Sequence, residues 1–152
     1  MRAYRIGAAR FAGTPAEAFS GRGSLVGDGR WHHAGRLAVY VAQHASLATL
    51  EVLVHLKRVS DIQPYVMYAV EVPDKEIMTP ADLPRNWQKN IEASRTYGDR
   101  WLATGRSAAL RVPSVLVPSE FNLLLNPVHR AFSLRWIVSG PDSVTFDPRL
   151  LR

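Results

Sequence analysis

Short apolar runs, separated by turn-forming residues, divide the chain into predicted strands and helices. We predict strands at residues 3–7, 37–42, 65–72, 108–117, 133–138 and 143–146. Helical spacing and start signals predict helices over 14–20, from Ser46 to about Lys57, and over most of 86–104. The strands and helices do not alternate regularly as they do in a doubly wound sheet, so we predict an α+β fold.

Prolines and glycines refine this assignment. Pro113 lies within the predicted strand 108–117, which indicates an edge strand or a bent one. Gly98 is expected to interrupt the last helix, and Pro118 followed by Ser119 predicts a short capped helix in 119–125. Gly21 to Gly29 contains four glycines and reads as a loop. No repeat or linker divides the chain, so we predict one domain over residues 1–152.

Composition excludes several chemistries. The 152 residues are 47% hydrophobic and include no cysteine, which rules out disulfides, thiolate catalysis and cysteine zinc sites. No apolar run approaches the roughly 18 residues of a membrane span, and the N-terminus lacks the apolar region of a signal peptide. We therefore expect a cytoplasmic protein without a membrane segment.

The net charge of +6 favours an anionic partner. Nucleic acid, an acidic protein and a phosphorylated small molecule all remain open. The basic residues are dispersed, and Lys57-Arg58 is the longest local cluster. This dispersal lowers the case for nucleic acid without removing it.

Glu51 is the most unusual position in the helical pattern. It lies on the same predicted face as Leu47, Leu50 and Val54, which are spaced as one apolar stripe. An unpaired buried carboxylate costs several kcal/mol. Glu51 is therefore expected either to pair with a cation or to line a cleft.

Two nearby residues could complete an anion site with Glu51. Arg30 lies between Gly29 and Trp31, where a backbone can approach a ligand and a guanidinium can bind phosphate. Tyr40 ends an apolar run and could border a ring. The alternative without a functional role is that Arg30 is a solvated arginine in a turn and that Tyr40 is a core residue.

The other motifs give weaker evidence for a function. Residues 21–27 have the spacing GxGxxxG, which differs from the dinucleotide fingerprint GxGxxG, and no phosphate loop is present. The five histidines form no strong metal pattern, so we predict no metal site. Ser119 could cap a helix and also present its hydroxyl to a ligand, but no serine-hydrolase elbow surrounds it.

Taken together, these residues resemble the RES domain family. The matching motifs are Gly29-Arg30-Trp31 with Gly35, then Tyr40, then Ala48 with Glu51, and finally the segment from Pro118 to His129. The resemblance covers nearly the whole chain from Tyr4-Arg5 onward. The Arg, Glu and Ser that name the family would be Arg30, Glu51 and Ser119. This chain departs from the family at His32-His33 and Arg36, where Asn, Pro and Thr or Ser are common.

The resemblance implies a fold like that of the ADP-ribosyltransferases, with a mixed or antiparallel sheet and flanking helices. It implies a bacterial toxin that consumes NAD⁺ as a substrate, without a prosthetic group. The activity would be hydrolysis or phosphorolysis of NAD⁺, or ADP-ribosylation of a protein. It also implies an Xre-type helix-turn-helix antitoxin that covers the site, self-association, and contact with DNA only through the antitoxin.

Each part of NAD⁺ then has a candidate residue. Arg30 and Arg5 would hold phosphate, and Tyr40 would border the nicotinamide. Glu51 would accept a ribose hydroxyl and stabilise the positive charge that develops on the ribose. Further candidates to bind NAD⁺ are Tyr4, Ser119 and Asn126. The sequence does not indicate whether water, phosphate or a side chain is the attacking group.

Two interpretations from other classes remain. The chain could be a basic nucleic-acid-binding module or ribonuclease, although its aromatic and basic residues are not interleaved in one segment. It could also be a non-catalytic binding domain in which Arg30 and Glu51 form a buried ion pair.

Overall fold

One mixed sheet organises the chain in a computed structural model, which describes residues 1–56 and 62–151. Its strands are β1 Arg2–Ala8, β2 Val39–Ala42, β3 Tyr65–Glu71, β4 Ile77–Met78, β5 Ala109–Pro113, β6 Phe121–Leu125 and β7 Ile137–Val144. The described ranges also contain the helices α1 Pro15–Ala18, α2 Ala45–Leu53 and α3 Ile91–Thr104. The strand order is β4-β5-β6-β2-β1-β3-β7, and only β4 and β5 pair in parallel. This architecture confirms the predicted α+β class.

Alternation of side chains along the strands divides the core between the two faces of the sheet. One face packs against α1 through Ala18 and Phe19. The other face lies under α2, through Leu47 and Ala48, and under α3, through Trp101. Most of these buried residues lie in the predicted apolar runs. Burying each large apolar side chain stabilises the fold by roughly 1.5–3 kcal/mol.

The centre of the sheet is opened between β1 and β2. These strands share one register pair, Tyr4 with Ala42, whereas β1 and β3 share seven. Beyond that pair, the two strands no longer form a ladder toward Ala8 and Val39. The sheet therefore has a cleft between β1 and β2, while β1 stays paired with β3 and β2 stays paired with β6.

The helix ends partly follow the sequence signals. Thr14 caps α1 with a reciprocal capping box to Glu17, as Pro15 at the helix start predicts. Ser46 is not the cap of α2: His44 occupies that position without a side-chain bond. The predicted helix end at Lys57 lies outside the described residues. Within the described part, α2 ends at Leu53.

The last helix is shorter at its start than predicted. Residues 86–90 form turns, and α3 begins at Ile91 because the Asn90 side chain accepts a hydrogen bond from the Ala93 N–H at 3.0 Å. Gly98 does not interrupt α3. It lies buried within the helix, where the backbone of Trp31 packs against it.

The prediction of a short helix over 119–125 is wrong. Phe121–Leu125 is β6, a central strand paired with β5 and β2. Leu123, Leu124 and Leu125 are all buried, so the strand has no polar alternation that would distinguish it from a helix. Ser119 consequently lies in a turn and caps nothing.

Three strand predictions also need correction. β5 ends at Pro113 rather than at residue 117. It pairs with β4 only at Ala109 and Leu110, so around Pro113 its side away from β6 is an edge, as the proline predicts. The predicted strands 133–138 and 143–146 are a short 3₁₀ turn followed by the single strand β7. The two-residue strand β4 was not predicted. Among the described residues, no helix is long and apolar enough to cross a membrane.

Candidate active site

A cavity of about 950 Å³ lies where β1 and β2 separate. Its walls come from the end of β1, from α1, from the glycine-rich loop 20–28 and from Tyr40. Among its lining residues are three arginines, namely Arg5, Arg10 and Arg22. Two carboxylates, Glu17 and Asp28, also line it. The arginines outnumber them, and a concave site with an excess of positive charge favours an anionic ligand.

Arg5 supplies the most constrained cation of the cavity. One guanidinium nitrogen donates a hydrogen bond to the Tyr40 carbonyl at 3.1 Å, across the gap in the β1–β2 ladder. The guanidinium also lies 5.9 Å from the Phe19 ring centre. Burial lowers the pKa of Arg5 to about 10, so it stays charged at neutral pH. Its buried Nε–H has no hydrogen-bond partner among the described residues, which leaves a donor available to a ligand.

The Tyr40 hydroxyl closes a small network with the loop that carries Arg30. It accepts a hydrogen bond from the Trp31 N–H at 3.1 Å and lies 2.9 Å from His32 Nδ1. His32 Nε2 lies 3.2 Å from the Gly27 carbonyl, which can only accept. His32 therefore carries its proton on Nε2, and the tyrosine hydroxyl donates to Nδ1. Burial raises the pKa of Tyr40 and lowers the pKa of His32, so both rings are neutral.

Arg30 is held on a loop that α3 anchors. Arg95 on α3 donates to the Gly29 carbonyl at 2.9 Å and forms an ion pair with Asp28 at 3.2 Å. His33 bonds Asp99 on the same helix at 2.7 Å, and this hydrogen bond is the main cause of its raised pKa. The Arg30 guanidinium itself points to the carbonyls of Trp87 and Gln88, at 3.5 and 3.4 Å.

Glu51 is half-buried on α2 and is held by neutral groups. Its Oε1 accepts a hydrogen bond from the Asn122 amide at 2.8 Å and lies 3.5 Å from the Ser114 hydroxyl. The predicted apolar stripe is only partly buried, because Leu50 and Val54 are exposed. Arg30 and Glu51 each have these other partners and do not pair with each other. The ion-pair interpretation of these two residues is therefore wrong.

Sheet register relates Glu51 to the other predicted residues. Asn122 on β6 lies opposite Ala42 on β2, and Tyr40 is two residues back on the same face of β2. The Tyr40 hydroxyl in turn contacts the backbone next to Arg30. Glu51, Tyr40 and the Arg30 loop thus share the face of the sheet that α2 and α3 cover. Of the predicted site residues, only Arg5 and Tyr40 line the cavity itself.

Three predicted binding residues lie elsewhere. Tyr4 packs under α2 with Leu47 and Ala48, since it alternates with Arg5 along β1. Asn126 is buried and donates to the Leu102 carbonyl at 3.4 Å. Ser119 is exposed in the turn before β6, while Asn126 follows that strand, so roughly 20 Å separate them. These two residues cannot contact the same part of one ribose.

Ser114 is the serine that lies next to Glu51. It is buried and directly follows β5. The sequence contains two Pro-Ser pairs, Pro113-Ser114 and Pro118-Ser119, and only the first ends a strand beside α2. The strand-breaking proline was the signal for this residue. Ser114, rather than the predicted Ser119, is therefore the serine that the fold places beside Glu51.

The fold and the cleft together define the class of domain: an α+β domain with an arginine-lined cavity at a split in its sheet. The RES domain model matches residues 2–147, and the chain belongs to the RES domain family. It is 40% identical over 154 residues to "Toxin Res" of Yersinia enterocolitica, covering 99% of each chain. It is 36% identical over 151 residues to "Prs ADP-ribosylating toxin" of a Sphingobium species, covering 90% of this chain and 89% of that protein. "Toxin Res" of Photorhabdus laumondii is 35% identical over 136 residues, covering 87% and 85%.

Tyr40→Phe tests the network around the tyrosine hydroxyl. The change leaves the Trp31 N–H and His32 Nδ1 without their common partner, so we expect a loss of about 1–3 kcal/mol in the free energy of unfolding. Urea unfolding measures this loss. Tyr65→Phe is the matched control, because no hydrogen bond engages the Tyr65 hydroxyl within the described ranges. Equal stability of the two variants would contradict the network.

Proposed function

We propose that this protein is a toxin that depletes NAD⁺ by cleaving the bond between nicotinamide and ribose. The observation that carries the proposal is the arginine-lined cleft at the split between β1 and β2, together with the Glu51 carboxylate on the face of the sheet opposite Arg5, which no cation neutralises among the described residues. Family membership supports a toxin role, since relatives over nearly the full length carry that name. The cleft volume of about 950 Å³ falls within the range of ligand pockets, about 300–1,000 Å³.

Arg5 is the residue we assign to the pyrophosphate. Its unpartnered Nε–H and its fixed charge suit a phosphate oxygen, and a guanidinium can bind phosphate with two parallel hydrogen bonds. Arg30 would assist if it leaves the carbonyls of Trp87 and Gln88. Tyr40 would border the nicotinamide ring, because it is one of the residues that line the cavity.

Glu51 is assigned to the ribose. When the C1′–N bond breaks, the bonding electron pair stays with nicotinamide, whose ring becomes neutral. Positive charge develops on C1′ and the ring oxygen of the ribose. A preorganised carboxylate stabilises that charge, and groups of this kind contribute about 3–4 kcal/mol to catalysis. The acceptor then forms a bond to C1′ and loses its proton.

Water or phosphate as the acceptor would give ADP-ribose or its 1″-phosphate. A protein acceptor is the second candidate, and the name of the Sphingobium relative, an ADP-ribosylating toxin, favours it. For the cellular context we propose a cognate Xre-type helix-turn-helix antitoxin that covers the cleft, self-association of the toxin, and a cytoplasmic location.

Mass analysis of products separates these outcomes. The purified protein is incubated with NAD⁺, with and without inorganic phosphate, and in parallel with labelled NAD⁺ and cell lysate. Free nicotinamide together with ADP-ribose or its 1″-phosphate is the expected result. Label retained on a protein would favour ADP-ribosylation. Unchanged NAD⁺ in every reaction would overturn the proposal.

A further inference from the structure

Asn122 holds the Glu51 carboxylate at the closest distance of any group in the described chain. Its amide nitrogen lies 2.8 Å from Glu51 Oε1. A carboxylate without a proton can only accept, so the amide must present its N–H₂ to Glu51. The orientation of the asparagine side chain is thereby fixed by its partner.

The location of Asn122 makes this contact rigid. It lies on β6, where it pairs with Ala42 on β2 on one side and with Val112 on β5 on the other. A residue in the middle of a sheet has little backbone freedom, whereas Glu51 is a long side chain on a helix with exposed neighbours. The strand therefore sets the position of the helix side chain rather than the reverse.

Ser114 reinforces the same carboxylate oxygen. Its oxygen accepts hydrogen bonds from the backbone N–H groups of Leu116 and Val117, at 3.1 and 3.2 Å. Its one proton is then free to point to Glu51 Oε1, 3.5 Å away. Both neutral donors meet Oε1, and within the described residues Oε2 accepts no hydrogen bond from a side chain.

We propose that Asn122 is a positioning residue that assigns separate tasks to the two oxygens of Glu51. Oε1 is fixed by Asn122 with help from Ser114, and Oε2 is left to meet the ribose. This inference rests on the proposed function of Glu51. Asn122 acts through Glu51, and its effect is on the rate of bond cleavage rather than on the binding of NAD⁺.

Asn122→Asp and Asn122→Leu test the proposal. Leu removes the donor at similar volume, and Asp places a second carboxylate against Glu51. Since misplacing a catalytic group by about 1 Å can cost 10²-fold, we expect kcat to fall on the order of 10²-fold in both variants, with KM nearly unchanged. Two adjacent carboxylates resist joint ionisation, so the acid limb of the pH–activity profile of Asn122→Asp should move to higher pH.

The matched control is Gln43→Glu. Gln43 Oε1 accepts a hydrogen bond from the Phe121 N–H at 3.1 Å, next to Asn122, and a glutamate keeps that acceptor while adding one charge. Among the described residues, the other titratable groups around α2 are His55 one turn further on, Tyr4 beneath the helix, and His44 and Glu120 before it, which lie 3.1 Å apart. The control should keep the kcat and the pH profile of the original protein. A similar shift in Gln43→Glu would assign the effect to general charge and overturn the role of Asn122.

The carbon NMR chemical shift of the Glu51 carboxyl at one fixed pH supplies a readout that needs no turnover. Loss of the hydrogen bond in Asn122→Leu should change this chemical shift. An unchanged chemical shift together with normal kcat in folded variants overturns the positioning role. A changed chemical shift in a protein that never consumes NAD⁺ would refute the proposed function and the effect of Asn122 on it, while confirming the contact itself.

Discussion

Glu51→Gln should reduce NAD⁺ cleavage by at least about 10²–10³-fold while the protein remains folded. Glutamine has the same shape and keeps an oxygen that can accept from Asn122, so the hydrogen bond of 2.8 Å has a replacement. What the variant loses is the negative charge that would stabilise the ribose cation. Because Glu51 is only half-buried and pairs with no cation in the described residues, losing that charge should change stability little.

Two measurements on the same preparations check this result: nicotinamide release, and thermal unfolding by circular dichroism. Glu71→Gln is the control, since Glu71 is an exposed carboxylate at the end of β3 whose nearest cation, Arg2, lies 3.8 Å away. The control should retain full activity. Normal turnover by folded Glu51→Gln protein would remove Glu51 from the mechanism and with it the assignment of the cleft to NAD⁺ cleavage.

The parts of the fold that could be read from the sequence are those with a local signal. Thr14, Pro15 and Glu17 specify the start of α1 through contacts within four residues. The strand β3 is bounded by prolines on both sides and was predicted to within one residue. The strand β6 was missed because three consecutive buried leucines satisfy a helix and a central strand equally well. Only its pairing with β2 and β5 decides between them, and pairing is not a local property.

The same distinction applies to the site. Glu51 was predicted because a carboxylate in an apolar stripe is anomalous by itself, and Tyr40 because it ends an apolar run. Arg5 was predicted from the resemblance to the RES domain family. Asn122 and Ser114 carry no such anomaly. They meet Glu51 from positions 71 and 63 residues away in the chain. Their role follows from the register of the sheet, which the sequence pattern does not specify.

The loop that carries Arg30 depends on contacts of this non-local kind with α3. Asp28, Gly29 and His33 all bond side chains of that helix. The centre of the Trp31 ring lies 5.7 Å from the centre of the Trp87 ring and 6.4 Å from the centre of the Tyr97 ring. The position of Arg30 relative to the cleft is thus set by how closely α3 approaches residues 28–33, and at Gly98 the backbone of Trp31 packs directly against the helix.

Gly98→Ala should destabilise the protein, although the same change in an open helix would stabilise it by about 0.5–1 kcal/mol. A Cβ on Gly98 would overlap the Trp31 carbonyl oxygen and lie 2.8 Å from the Trp31 carbonyl carbon. These are backbone atoms that cannot rotate away, so the helix and the loop must separate. Overpacking of this kind costs about 1–3 kcal/mol, and a chain of this size loses about 2–4 °C in Tm for each kcal/mol.

Thermal unfolding and NAD⁺ kinetics together distinguish this effect from a simple helix effect. Ala103→Gly is the control, because Ala103 is exposed on the same helix. It measures the difference in the free energy of unfolding between alanine and glycine at an exposed helical position. We expect that control to be destabilised by about 0.5–1 kcal/mol with unchanged kinetics. Gly98→Ala should also raise the KM for NAD⁺, because displacing Trp31 moves Arg30 and withdraws the Trp31 N–H from the Tyr40 hydroxyl. A Gly98→Ala protein that is more stable than the original would show that α3 and the Arg30 loop are not in backbone contact.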